Sequence, residues 1–116
     1  MNETDLIQYI VDALEDLKAL DIRIIDVRGQ TSFTDWLVIA SGTSSRHVKS
    51  LANHVAMELK SKNGLAALGS EGQDIAEWVL VDFDNVVLHV MQPPIREFYD
   101  LERLWERRYF EVDMDQ

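Results

Sequence analysis

The sequence contains no cysteine, which excludes disulfide bonds, thiolate metal centres and a cysteine nucleophile. It also lacks an apolar run of the roughly 20 residues that a helix needs to cross a bilayer. The first residues, Met1 to Asp5, include two acids where a secretion signal would carry positive charge. We therefore expect a soluble, cytoplasmic protein without a membrane segment.

Basic residues are also scarce. The chain has 11 Lys and Arg and 21 Asp and Glu, and residues 71–116 alone account for −8 of the net charge of −10. A nucleic-acid-binding face needs clustered Lys and Arg, so we expect no direct contact with nucleic acid. The acidic C-terminal third could attract a basic partner, or it could serve only solubility, and charge alone leaves both interpretations open.

What is present is typical of a globular protein. Of the 116 residues, 47% are hydrophobic and 28% are charged, a balance that allows one folded domain without disulfide bonds. We expect this domain to cover residues 1–109 and residues 110–116 to form a frayed tail.

Hydrophobic periodicity predicts helices over residues 5–20, 44–62 and 94–108, and strands over residues 22–28, 36–41, 65–68, 78–83 and 86–91. Asp84 and Asn85 favour an antiparallel hairpin, whereas the helix at 44–62 can return the chain for parallel pairing. The predicted fold is α/β (α+β), a single domain with a mixed β-sheet flanked by helices. In the last helix, the spacing of Phe98, Leu101 and Trp105 predicts a row packed on the sheet, which leaves Tyr99 partly exposed.

Two motifs could carry chemistry. Asp82 and Asp84 have the D-x-D spacing that can hold Mg²⁺, but Asp84 also occupies a turn position that favours Asp, and no third carboxylate is evident. Residues 42–45 (GTSS) lie between a strand and a helix, where they could bind an anion or simply cap the helix. A metal-dependent nucleotidyl or phosphate enzyme is therefore the alternative to a binding protein.

The histidines do not predict a metal site. His89 lies in an apolar strand, while His47 and His54 lie on another element and are not four residues apart. We interpret His89 as a hydrogen-bonded structural residue. Neither a cofactor nor a metal is predicted.

The aromatic residues between 78 and 105 are the better functional candidates. Tyr99 lies among acids and beside Arg96, the setting of a protein-binding hot spot. Trp78 follows Glu77 at the start of a strand and could serve either binding or core packing.

The whole pattern resembles the ribosomal silencing factor (Iojap-related) family. The resemblance covers about residues 4–107 and is carried by five segments in unbroken order: 26–28 (DVR), 34–47 (TDWLVIASGTSSRH), 71–72 (EG), 78–91 (WVLVDF through HVM) and 96–105 (R-x-FYDLERLW). Asp84-Asn85 departs from the pattern, since relatives often place a glycine there, and Pro93-Pro94 is also unusual.

The resemblance implies a nucleotidyltransferase-like sheet without demonstrated transferase chemistry. It further implies a repressor of translation that binds the fourteenth protein of the large ribosomal subunit and blocks joining of the small subunit when nutrients are scarce. A role in large-subunit biogenesis and a homodimer are implied for some members. The positions that match the family's partner-facing pattern are Trp78, Asp82, His89, Arg96, Tyr99 and Glu102.

Overall fold

The computed structural model describes residues 2–104 in full and the backbone of residues 109–111. Within these residues the helices are α1 (Glu3–Asp16), α2 (Ser45–Asn63), α3 (Pro93–Tyr99) and α4 (Leu101–Leu104). The strands are β1 (Leu20–Asp26), β2 (Trp36–Ser41), β3 (Gly69–Glu71), β4 (Trp78–Asp82), β5 (Val86–Met91) and β6 (Tyr109–Glu111).

These strands form one mixed sheet in the order β3-β4-β5-β2-β1-β6. The central pair, β5 and β2, is parallel, and every other neighbouring pair is antiparallel. The predicted mixed sheet and the predicted hairpin between β4 and β5 are both confirmed. The parallel pairing arises because α2 carries the chain away from the end of β2 before the β3–β4–β5 meander begins.

The helices cover both faces of this sheet. Because side chains alternate along a strand, Val38 and Ala40 of β2 join a cluster with α1 and α2, whereas Ile39 joins a second cluster with Ile95 and Leu101 of α3 and α4. The first cluster is the larger and forms the main core. The second is smaller and holds α3 and α4 on the opposite face.

The junction between β2 and α2 is a helix cap. The Ser44 side chain accepts a hydrogen bond from the backbone N–H of His47, and Gly64 ends the helix in the left-handed conformation that glycine adopts easily. The capping interpretation of residues 42–45 is therefore confirmed.

The predicted helix over residues 94–108 is broken. Asp100 adopts a left-handed conformation, with φ of 47°, and separates α3 from α4. Phe98, on α3 just before the break, is 80% exposed, so the prediction that it packs on the sheet is wrong. Residues 105–108, including the Trp105 that completed the predicted row, lie outside the described residues.

Other boundaries also differ from the sequence prediction. The helical spacing of apolar residues continues to Leu20, but Lys18 has a positive φ and α1 ends at Asp16, so Leu20 begins β1 instead. The predicted strand at 65–68 is displaced to β3, at residues 69–71. Residues 110–111 of the predicted tail belong to β6, which satisfies backbone groups at the edge of β1, while residues 112–116 lie outside the described residues.

The connection between β3 and β4 depends on one glycine. Gly72 has a φ of +95°, and a Cβ at this position would collide with the backbone carbonyl oxygen of Trp78.

We expect Gly72→Ala to lower the free energy of unfolding by about 2–4 kcal/mol, because backbone strain and overpacking add together. Gly69→Ala is the matched control, since a Cβ there meets nothing. If the two variants had equal unfolding free energies in urea denaturation, the connection between β3 and β4 would not require glycine at position 72.

Candidate functional site

Three aromatic rings form a continuous row on the face that carries α3 and α4; we call Trp78, Phe98 and Tyr99 the aromatic surface. The ring centroids of Trp78 and Tyr99 are 4.9 Å apart, and those of Tyr99 and Phe98 are 5.0 Å apart in an edge-to-face arrangement. Trp78 is half-buried, whereas Tyr99 is 52% and Phe98 80% exposed. The predicted partial exposure of Tyr99 is confirmed.

A buried histidine orients the tryptophan. Trp78 Nε1 donates a hydrogen bond of 2.9 Å to His89 Nδ1, which sits behind it on β5. Burial lowers the pKa of His89 from 6.5 to about 4, so the ring is neutral at pH 7 and Nδ1 is free to accept. The structural interpretation of His89 is thus confirmed. Because His89 is only 8% exposed, it supports the surface from beneath.

A buried ion pair fixes the helices that carry Tyr99. Arg96 Nε donates to Glu102 Oε1 at 2.9 Å, across the break at Asp100, and Arg96 Nη1 donates to Ser41 Oγ at the end of β2. Glu102 also lies 3.7 Å from Arg23 Nη1 on β1. Arg96 and Glu102 are 7% and 8% exposed, so both of these predicted site residues lie under the surface.

Asp82 lies apart from the other predicted site residues. It is four residues beyond Trp78 on β4, about 13 Å along the strand. Its Oδ1 accepts the backbone N–H of Asp84 at 2.7 Å, and Asp84 has the positive φ of a tight turn. Among the described residues, Asp82 and Asp84 do not cluster with a third His, Asp or Glu as a metal site would require. The D-x-D spacing therefore serves the hairpin in this structure.

The structure thus brings together five of the six predicted residues: Trp78, His89, Arg96, Tyr99 and Glu102. Sequence reasoning missed Phe98, because helical spacing assigned it to the core. The one local signal was Asp100, since Asp adopts positive φ more readily than most residues.

Acidic side chains flank the aromatic surface. A cavity of about 390 Å³ opens beside Trp78 and is lined by residues 72–75, Glu77 and Trp78. Asp74 and Glu77 on this side, and Glu97 on α3, are exposed, as is the apolar Ile75. Such a combination can receive a partner that offers both apolar and cationic groups. None of the described helices is long and apolar enough to span a membrane.

Comparison with known proteins yields consistent matches. Residues 1–116 match the family model described as "Ribosomal silencing factor during starvation". The ribosomal silencing factor RsfS of Haemophilus influenzae is 42% identical over 100 residues, which cover 86% of this chain and 97% of that protein. A mouse protein, "Mitochondrial assembly of ribosomal large subunit protein 1", is 36% identical over 95% of this chain and 49% of its own length. A crystal structure of a Chromobacterium violaceum protein aligns with a TM-score of 0.88 and 43% identity, covering 91% of this chain and 88% of that one.

The lowered pKa of His89 predicts a pH-dependent stability. Between pH 6.5 and about 4 the unfolded chain binds a proton that the folded chain does not, so stability falls as the pH falls through this window. His89→Asn retains an acceptor for Trp78 Nε1 but does not titrate. Between pH 7 and pH 5, wild type should lose about 2 kcal/mol more unfolding free energy than this variant. Urea denaturation measures the difference in unfolding free energy between wild type and His89→Asn. If this difference were the same at pH 7 and pH 5, the buried neutral state of His89 would be contradicted.

The Arg96–Glu102 pair predicts a distinct mutational pattern. Glu102→Ala leaves the Arg96 charge buried without its counterion and should lower the unfolding free energy by about 3–5 kcal/mol. The double variant Arg96→Met with Glu102→Leu removes both charges and should recover most of that loss. A double variant no more stable than Glu102→Ala would show that the charges themselves are not the cause.

Proposed function

Because the chain belongs to the ribosomal silencing factor family, we propose that it represses translation by binding the large ribosomal subunit and preventing the small subunit from joining. The proposed partner on the subunit is its fourteenth protein, which the family resemblance identifies as basic. The observation that carries this proposal is the aromatic surface, with its exposed rings and flanking carboxylates.

The composition of this surface supports a protein partner. Binding hot spots are enriched in Trp and Tyr, which bury a large area at a low cost in side-chain entropy. Trp78 and Tyr99 are held at 4.9 Å from each other before any partner arrives, so little ordering is needed on binding. The surrounding acids favour a basic partner and speed the encounter with it.

The six predicted residues then divide by role. Trp78 and Tyr99 are the proposed contact residues, and Phe98 joins them because of its exposure. His89, Arg96 and Glu102 are proposed to act by positioning these rings. Asp82, at the far end of β4, is proposed to contribute charge at the edge of the interface.

The proposed mechanism is steric and requires no chemical step, cofactor or direct contact with RNA. We place the protein in the cytoplasm, where subunits join. The name of the mouse relative refers to assembly of the ribosomal large subunit, and we propose a second role in large-subunit biogenesis on that basis. A homodimer of the free protein stays a prediction, which sedimentation of the purified chain would test.

The contact residues predict a binding defect without a folding defect. Trp78→Ala and Tyr99→Ala should each weaken binding to isolated large subunits by about 1–3 kcal/mol, or about 5- to 150-fold. Met57→Ala is the control, since Met57 is 68% exposed but lies on α2, across the sheet from the aromatic surface. Co-sedimentation measures binding, and circular dichroism verifies the fold. Folded Trp78 and Tyr99 variants that sediment like wild type would refute the site.

The steric mechanism has its own test. Large subunits preincubated with the chain should yield fewer joined ribosomes when small subunits are added, and the Tyr99→Ala variant should restore joining in proportion to its lost affinity. Full joining despite saturated binding would contradict the proposed blocking mechanism while leaving the binding site intact.

A further inference from the structure

Helices α1 and α2 lie side by side on the face opposite the aromatic surface. Leu14 of α1 and Leu51 and Leu59 of α2 are fully buried between these helices and the sheet, so the two backbones are held in a fixed relation. His54 and Glu58 are four residues apart on α2 and therefore project from the same side of the helix. Asp16, the last residue of α1, faces them.

The three side chains point toward one another. His54 Nε2 lies 3.0 Å from Asp16 Oδ2 and 3.8 Å from Glu58 Oε1, and all three potential ligand atoms lie within 4.8 Å of one another. Ligand atoms about 2.1 Å from a common ion are separated from each other by about 3.0–3.4 Å. Small side-chain rotations would therefore place the three atoms around one ion.

We propose that Asp16, His54 and Glu58 form a binding site for a divalent transition-metal ion, with Zn²⁺ as the best-fitting candidate. A neutral imidazole nitrogen favours Zn²⁺ and its neighbours over Mg²⁺ or Ca²⁺, which prefer oxygen ligands alone. Two carboxylates balance the charge of the ion. The pairing of His54 and Glu58 one helical turn apart supplies two ligands from a rigid element.

The surroundings leave room for further ligands. A groove of about 140 Å³ lies beside Asp16 and Glu58 and is also lined by Asp12, one turn earlier on α1. Water can complete the coordination from this groove.

A lysine competes for one of the ligands. Lys62 Nζ lies 2.9 Å from Glu58 Oε1, but the Lys62 side chain is 70% exposed, and exposed ion pairs contribute little. Metal binding would release Lys62 to solvent. Removing this lysine should therefore strengthen metal binding, because Glu58 is then free of its competing cation.

The proposed ion would join the end of α1 to α2. Because it binds the folded chain, it should raise the melting temperature as its concentration increases. The site lies across the sheet from the aromatic surface and does not depend on the proposed ribosomal function.

Calorimetric titration of the untagged chain with ZnCl₂ tests the proposal. Wild type should bind one ion per chain, and His54→Gln should lower the association constant by more than about tenfold. Glu58→Gln provides a second ligand variant if the first does not fold. Lys62→Gln should raise the association constant by up to about fivefold.

His47→Gln is the matched control. His47 lies on the same helix, but its two ring nitrogens already contact Thr43 and the carbonyl oxygen of Leu17, so its replacement should leave Zn²⁺ affinity unchanged. The absence of saturable binding by wild type would overturn the proposal. Equal affinity in wild type and both ligand variants would identify the binding as adventitious and would overturn it as well.

Discussion

The buried ion pair between Arg96 and Glu102 is the interaction on which the aromatic surface depends. The pair joins Arg96 on α3 to Glu102 on α4, on either side of the left-handed Asp100. It therefore fixes both the end of α3 and the start of α4. Tyr99 occupies that end, and its tilted contact with the Trp78 ring depends on the break staying in place. Burying two charges gains little stability compared with packed apolar residues, and we interpret the pair as a device that sets position.

The features of the fold that are set by residues close together in the sequence could be predicted. Strands β2 and β5 match their predicted bounds, and Ser44 and Gly64 define α2 as their residue types indicate. The break at Asp100 had only a weak local signal, the tolerance of Asp for positive φ, because contacts of Arg96 with Glu102 and Ser41 accompany it. Charged residues are rarely buried, so sequence reasoning had no basis for placing Arg96 and Glu102 inside. The approach of Asp16 to His54 joins residues distant in sequence and depends in the same way on tertiary packing.

The two faces of the sheet have different physical characters. Helices α1 and α2 cover the main core on one face. Among the described residues, the opposite face is covered in part, by the two short helices α3 and α4. Trp78 and Tyr99 reach solvent on this second face. Fixed aromatic rings at the solvent-facing side of a sheet suit recognition. The D-x-D motif that suggested catalysis is accounted for by the turn that Asp84 makes.

A hydrogen-exchange footprint of the chain bound to isolated large subunits would test the central claim most directly. We predict slower exchange at residues 72–78 and 95–101, which carry the aromatic surface and its flanking acids, and unchanged exchange along α2. Protection confined to α1 and α2, with none around Trp78 and Tyr99, would contradict the account, because the subunit would then bind the opposite face.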